Sequence, residues 1–262
     1  MYYAAGTTKN TTETEKINQM RFLLIRHGHP DYEHDTLTET GLREAALLAK
    51  RLAKEKIDYF YCSPLGRAKK TAEPTLLATG KSAEILDWAM EMPCAVNVNY
   101  SELGLDFEGR ISPWDMLPPY WTTKPEMYDR EAWRELPVFK NSNVPERYDI
   151  IAEGFEKLML RHGLKKEGQY YRITPDYKKD TVIALFAHMG FGNCLLSQIT
   201  GMPLPAFWHC FFLPPTSVTT VSFETYGMCP GIAMPRIVSL GDATHLTAGG
   251  EPISSSGMHS PM

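Results

Sequence analysis

Arg21-Phe22-Leu23-Leu24-Ile25-Arg26-His27-Gly28 is the stretch that decides how this chain reads. A short apolar run that breaks into a Gly-containing loop has the pattern of a strand buried on both faces, and such strands belong to parallel sheets. Downstream, residues 40 to 53 carry helical periodicity, with Leu42, Ala45, Ala49, Leu52 and Ala53 on one face. Residues 58 to 62 form a second apolar strand. Ser63-Pro64 then opens another helix, with Ser as its N-cap and Pro at its first position. Residues 82 to 86 are the third strand. This β-α-β-α-β order predicts an α/β fold, a three-layer α/β/α sandwich around a mainly parallel, doubly wound sheet.

The regular pattern breaks between residues 92 and 145, which hold Pro93, Pro113, Trp114, Pro118, Pro119, Trp121, Pro125, Trp133 and Pro137. No long element runs through so many prolines, and a stretch of this kind inside an α/β domain is expected to be a lid. Helical periodicity returns over residues 145 to 161. Residues 163 to 179 are polar and turn-rich, and Lys165, Lys166, Arg172, Lys178 and Lys179 there suit a solvated hairpin. A strongly apolar strand over 181 to 187 then delivers His188-Met189-Gly190 into a short helix, and residues 217 to 223 and 236 to 240 are the last strands. The expected organisation is a flexible tail over 1 to 20, one α/β domain over 21 to 246 with 92 to 178 inserted as the lid, and a frayed tail over 247 to 262.

Composition narrows the function classes. Of 262 residues, 43% are hydrophobic and 22% charged, which suits a globular domain with a sizeable core. A net charge of −4 offers no footprint for a phosphate backbone, so no nucleic-acid partner is expected. No apolar run reaches membrane-spanning length, and no membrane partner is expected. The five cysteines are scattered without a C-x-x-C pair, which argues against a zinc knuckle or a disulfide framework and for a reducing compartment, the cytoplasm. Nothing in the sequence sets the oligomeric state.

In open α/β sheets, sites form beyond the carboxyl ends of the strands. Three strand ends here deliver chemistry: Arg26-His27-Gly28, then Ser63 through Arg67, then His188-Met189-Gly190. Two arginines and two histidines at one sheet edge make a pocket for a dianion. A neutral imidazole can attack phosphorus and split one hard displacement into two easier ones. Guanidinium groups match phosphoryl oxygens bidentately. Gly28 permits a close backbone approach at the loop.

The blocks Leu24-Ile-Arg-His-Gly28, Leu37-Thr-x-x-Gly41, Ser63-Pro-Leu-Gly-Arg-Ala-x-x-Thr-Ala72 and a late strand ending in His188 resemble the histidine phosphatase superfamily, which includes cofactor-dependent phosphoglycerate mutases and many phosphatases. The resemblance covers residues 21 to 92 and 181 to 245. It implies His27 as the phosphorylated nucleophile, with Arg26, Arg67 and His188 holding phosphoryl oxygens, and it implies an acidic proton donor after the third strand. Glu91 is placed for that role, with Glu102 and Glu108 as competitors. Gly28, His29 and Met189 complete the expected substrate-side residues. The expected function is hydrolysis of a small phosphorylated substrate without cofactor or metal. The loop continues His29-Pro-Asp-Tyr-Glu rather than in the mutase manner, which favours hydrolysis over a phosphoglycerate mutase-type transfer. A phosphate-binding protein without catalysis, and a metallohydrolase built on His27, His29, Asp31, His34 and Asp35, are the remaining alternatives.

Overall fold

The computed structural model describes residues 19 to 259; most of the expected N-terminal tail lies outside the described residues. Twelve strands and eight α-helices are seen among them. The first half runs β1 (Arg21–Arg26), β2 (Pro30–Asp31), β3 (Thr36–Leu37), α1 (Glu39–Leu52), β4 (Tyr59–Cys62), α2 (Gly66–Thr79) and β5 (Glu84–Ile85). The inserted segment holds β6 (Val96–Asn99), β7 (Glu108–Ile111), α3 (Pro118–Trp121) and α4 (Pro137–Lys140). Then come α5 (Val144–Arg161), β8 (Leu164–Glu167), β9 (Tyr170–Ile173), β10 (Val182–Ala187), α6 (Met189–Thr200), α7 (Leu204–Cys210), β11 (Val218–Tyr226), β12 (Cys229–Asp242) and α8 (Thr244–Ala248).

Eight strands form one sheet in the order β5-β4-β10-β1-β11-β12-β9-β8. The half from β5 to β1 is parallel, as the β-α-β pattern predicts, and β11 extends it antiparallel from the other edge of β1. Because side chains alternate along a strand, β1 feeds both faces. Leu23 and Ile25 pack with Phe60, Phe186 and the α1–α2 residues Leu48, Leu52, Ala68 and Ala72. Phe22 and Leu24 face the opposite cluster with Phe155, Phe191 and Leu195 of α5 and α6. Each such fully buried side chain contributes about 1.5–3 kcal/mol. Among the described residues no helix is long and apolar enough to cross a membrane.

Several expectations change. On α1 the buried face is Gly41, Glu44, Ala45, Leu48, Ala49 and Leu52, whereas Leu42 and Ala53 point outward. The segment 92 to 178 is not all lid: α5 packs against the sheet through the Phe22–Phe155 edge contact, and β8–β9 are the last two strands of the main sheet. Only the stretch from β6 to α4 stands outside that framework. Its Val96, Val98, Met116, Trp121 and Trp133 join the same apolar cluster as α5 and α6, so it is a packed cover rather than a loose flap. The described end of the chain does not fray either, since Glu251 pairs with Arg43 at 2.9 Å and Ser256 reaches Arg26. Met20, assigned to the tail, is fully buried.

Candidate active site

Strand register brings the site together. Arg26 of β1 lies beside Ala187 of β10, and Phe186 lies beside Cys62 of β4. The next residues along, His27, His188 and Ser63, therefore emerge side by side. The ladder continues past the strand ends, with His27 N donating to Ala187 O and Ser63 N to Phe186 O, both at 2.9 Å. The His27 and His188 ring centroids stand 5.2 Å apart.

His27 is buried, and its Nδ1 lies 2.7 Å from its neighbour's carbonyl, Gly28 O. A carbonyl only accepts, so Nδ1 carries the proton and Nε2 keeps its lone pair. Burial, then the adjacent Arg26 guanidinium, pushes the imidazole down to about 3, so it is neutral near pH 7. Burial, His27 and the two arginines likewise hold His188 well below the usual range. The His27 carbonyl accepts from Thr216 N at 3.2 Å. Thr216 is a β-branched residue at φ +55, a strained conformation of the kind that clusters at functional sites.

Gly28 also answers a packing demand that the sequence reading did not include. A Cβ there would meet Gly41 O at 2.9 Å and Glu44 Oε2 at 3.3 Å, so the glycine lets the loop lie on the start of α1. Gly28 N donates to Thr71 Oγ1 of α2 at 2.9 Å, and His29 N to Glu44 Oε2 at 2.6 Å. The loop is thus held by both helices of one layer.

Arg26 is aimed by two carbonyls: Nη1 donates to Leu213 O at 2.5 Å and Nη2 to Ser256 O at 2.8 Å, with Met189 Sδ 3.6 Å from Nη1. Arg67 Nη1 donates to Asp35 Oδ1 at 2.6 Å. Partial burial pushes Asp35 up, but the Gly66 N–H and the Arg67 guanidinium outweigh it and hold the carboxyl below its ordinary value. Arg26 Nε, Arg67 Nε and His188 Nδ1 are buried with no hydrogen-bond partner among the described residues, an arrangement suited to an oxygen-rich anion.

Glu91 follows β5 and a single 3₁₀ turn (Asp87–Ala89). Its carboxylate accepts from Phe191 N at 2.7 Å and Gly190 N at 3.2 Å at the start of α6, and from its own neighbour Met92 N at 3.0 Å. Burial nevertheless raises it above the ordinary carboxyl value, against those donors. The competitors point elsewhere. Glu102 is exposed and pairs with Lys124 at 3.2 Å, and Glu108 is exposed and accepts from Asn99 Nδ2 at 3.0 Å.

Ser63 is not a helix cap. The N-cap of α2 is Leu65, without a side-chain bond, and Ser63 Oγ lies 2.7 Å from His188 Nε2. The cluster weighed as a metal site disperses: His29 Nδ1 meets Thr38 Oγ1 at 3.0 Å, His34 meets Asp31 at 2.9 Å, and Asp35 holds Arg67. Among the described residues no three His, Cys, Asp or Glu side chains could hold a metal ion. Residues 22–100 and 158–229, the strands and helices that build this site, match the sequence profile of the histidine phosphatase superfamily (branch 1).

The chain belongs to that superfamily.

Among histidine phosphatases, it is 27% identical over 249 residues to the serine/threonine-protein phosphatase Pgam5, mitochondrial, of Caenorhabditis briggsae, covering 92% of this chain and 70% of that protein. Solved structures share the fold. A phosphoserine phosphatase mutant from Entamoeba histolytica in complex with phosphoserine superposes with a TM-score of 0.56 at 20% identity, over 87% of this chain and 99% of that one. A mycobacterial glucosyl-3-phosphoglycerate phosphatase does so with a TM-score of 0.51 at 21% identity, over 84% and 98%. Thr216 and Ser256 are site partners that the sequence reading did not name, and no local signal points to them. The sequence alone reads Ser63 as a helix cap and Asp35 as a member of the weighed metal cluster, so their places beside His188 and Arg67 come from the structure.

Proposed function

We propose that this histidine phosphatase is a phosphomonoesterase that passes the phosphoryl group of a small substrate through His27. The observation that carries the reading is a neutral His27 whose Nδ1–H is tied to Gly28 O, leaving Nε2 bare beside two guanidinium groups and His188. In the first step Nε2 attacks phosphorus, the P–O bond to the leaving group breaks, and Glu91 gives its proton to the departing oxygen. In the second step Glu91, now a carboxylate, takes a proton from water as the water oxygen attacks the phosphohistidine and frees Nε2. Arg26, Arg67 and His188 stabilise the charge on the equatorial oxygens; one preorganised donor of this kind contributes about 3 kcal/mol. A raised carboxyl suits the acid of the first step. The three relatives described above are phosphatases by name, which supports hydrolysis over mutase-type transfer. Five free cysteines suit a reducing compartment, for which we propose the cytoplasm, although the nematode relative's name places that protein in mitochondria.

Rapid-quench labelling in excess EDTA tests the scheme. His27→Ala is expected to form no acid-labile phosphoenzyme and to turn over at background. Glu91→Gln is expected to slow esters with poor leaving groups by about 10²–10⁴ and p-nitrophenyl phosphate much less. Stoichiometric phosphoenzyme in His27→Ala would remove the nucleophile. The same leaving-group dependence appearing in Glu102→Gln or Glu108→Gln instead would reassign the acid.

A further inference from the structure

A cavity of about 510 Å³ opens beside the site, walled by the cover, by the stretch from α6 through α7, and by the chain's C-terminal segment. Its size suits a small organic group. Three contacts tie it to the reacting groups. Trp114 lines it, and a Cβ on Gly190 would meet both Trp114 at 2.6 Å and Glu91 Oε1 at 2.9 Å, so indole and acid share one corner. Phe212 lines it, and the Arg26 guanidinium carbon stands 5.6 Å from that ring's centroid. Met189 lines it and touches Arg26 Nη1 through sulfur. The space therefore borders the acid that serves the leaving oxygen and the arginine expected to hold the phosphoryl group.

The walls are aromatic. Trp114 meets Trp208 edge to face at 5.7 Å, and Trp121 stacks on His209 at 4.5 Å. Among the described residues neither lysine nor arginine lines the cavity, and the one carboxylate on its wall is Asp115, faced by His259 at 3.6 Å. His209, the remaining titratable wall residue besides Cys210, is held down to about 4 by burial and so is neutral near pH 7. A substrate carboxylate placed here would give up hydration beside Asp115, with no lysine or arginine on the wall to replace it and with the bordering Arg26 committed to the phosphoryl group. Flat aromatic groups instead gain edge and face contacts with the indoles and sulfur contacts with Met189.

Resting on the phosphomonoesterase reading, we propose that this cavity receives the leaving group of the substrate, and that the substrate is a phosphate monoester of an uncharged aromatic alcohol rather than a phosphorylated carboxylic acid. The fold relative crystallised with phosphoserine binds a substrate that carries a carboxylate; the composition of this cavity predicts the opposite preference.

The test compares 2-naphthylmethyl phosphate with phosphoserine and 3-phosphoglycerate, all of which release an alkyl oxygen, so intrinsic reactivity is matched. The naphthylmethyl ester is expected to lead in kcat/KM by about tenfold or more. Met258→Arg, at an exposed residue on the cavity wall, is expected to narrow the ratio by improving phosphoserine, and Trp114→Ala to narrow it by weakening the aryl substrate. Equal or reversed preference in the unaltered protein overturns the proposal. Binding of the matching non-hydrolysable phosphonates, followed by tryptophan fluorescence, separates the two readings. An aryl preference in binding without turnover of any ester defeats the phosphatase reading alone, whereas the absence of an aryl preference in binding defeats the cavity assignment whether or not esters are cleaved.

Discussion

The Ser63 hydroxyl stands 2.7 Å from His188 Nε2 and also accepts from Leu65 N at 3.2 Å, so one small side chain sets both a ring and the turn into α2. With Nε2 engaged, His188 has Nδ1 for other work, and that atom is buried without a partner among the described residues. Ser63→Ala removes the ring's tether and leaves the nucleophile alone. It is expected to lower kcat/KM by about 10–100-fold, the size of one lost buried hydrogen bond, while phosphoenzyme still forms to full amplitude more slowly. An unchanged rate of phosphoenzyme formation in stopped-flow or quench measurements would make Ser63 a turn residue only. His27, His188 and both arginines were legible in the sequence because each closes or follows an apolar strand in a short motif. Asp35 and Ser256 were not, since their partners Arg67 and Arg26 lie 32 and 230 positions away and no local pattern encodes that distance.

Helix α1 was legible in its extent but not in its burial. Periodicity alone placed Leu42 and Ala53 inward, whereas the helix rotates so that Glu44 is fully buried beneath the loop of His27 to His29. Glu44 Oε2 accepts from His29 N while Oε1 has no partner among the described residues. Arg26, Arg43 and Glu251 also act on it electrostatically, and burial dominates, raising the carboxyl from 4.5 to about 7. A group raised in the folded state contributes stability that is complete below its unfolded value and is lost as pH rises through the folded one. For Glu44 the loss falls between about pH 4.5 and 7 and is on the order of 3 kcal/mol. Glu44→Gln keeps the acceptor for His29 N and cannot ionise. Its melting temperature relative to the unaltered protein is therefore expected to rise between pH 5 and pH 8. Comparing the two proteins at each pH cancels His27, whose depressed value acts in the opposite sense, with stability lost as pH falls from about 6.5 toward 3. A difference that stays flat across the range would mean that Glu44 is ionised throughout.

Across the whole molecule, the parallel half of the sheet was legible because buried strands alternate with helices, while the sheet's outer antiparallel strands were harder to read. β8 and β9 are polar enough to pass for a solvated hairpin, and β12 runs from Cys229 to Asp242, whereas the sequence alone predicts strand only over residues 236 to 240, because Pro230, Gly231 and Pro235 break the apolar run before them. The chain's C-terminal segment was the least legible part. Its serines and glycines suggest a tail, yet it is held by the Ser256 carbonyl on the Arg26 guanidinium, by the Arg43–Glu251 pair and by His259 against Asp115. A chain ending at Gly249 loses these three contacts and little core. The Arg43–Glu251 pair is partly exposed, pairs of that kind contribute at most about 1 kcal/mol, and the more exposed His259–Asp115 contact contributes less, so the melting temperature should fall by no more than about 5 °C. Activity should suffer more. Arg26 is aimed by Leu213 O and Ser256 O together, and without the second carbonyl its planar fork can swing about the first, so positioning of the phosphoryl group degrades. With methyl phosphate, too small to fill the aromatic cavity, kcat/KM is expected to fall by about 10–100-fold. If it is unchanged, Leu213 O alone is enough to aim Arg26. If it rises, the Ser256 carbonyl competes with phosphoryl oxygens for the guanidinium, and the segment restrains the enzyme instead of completing it.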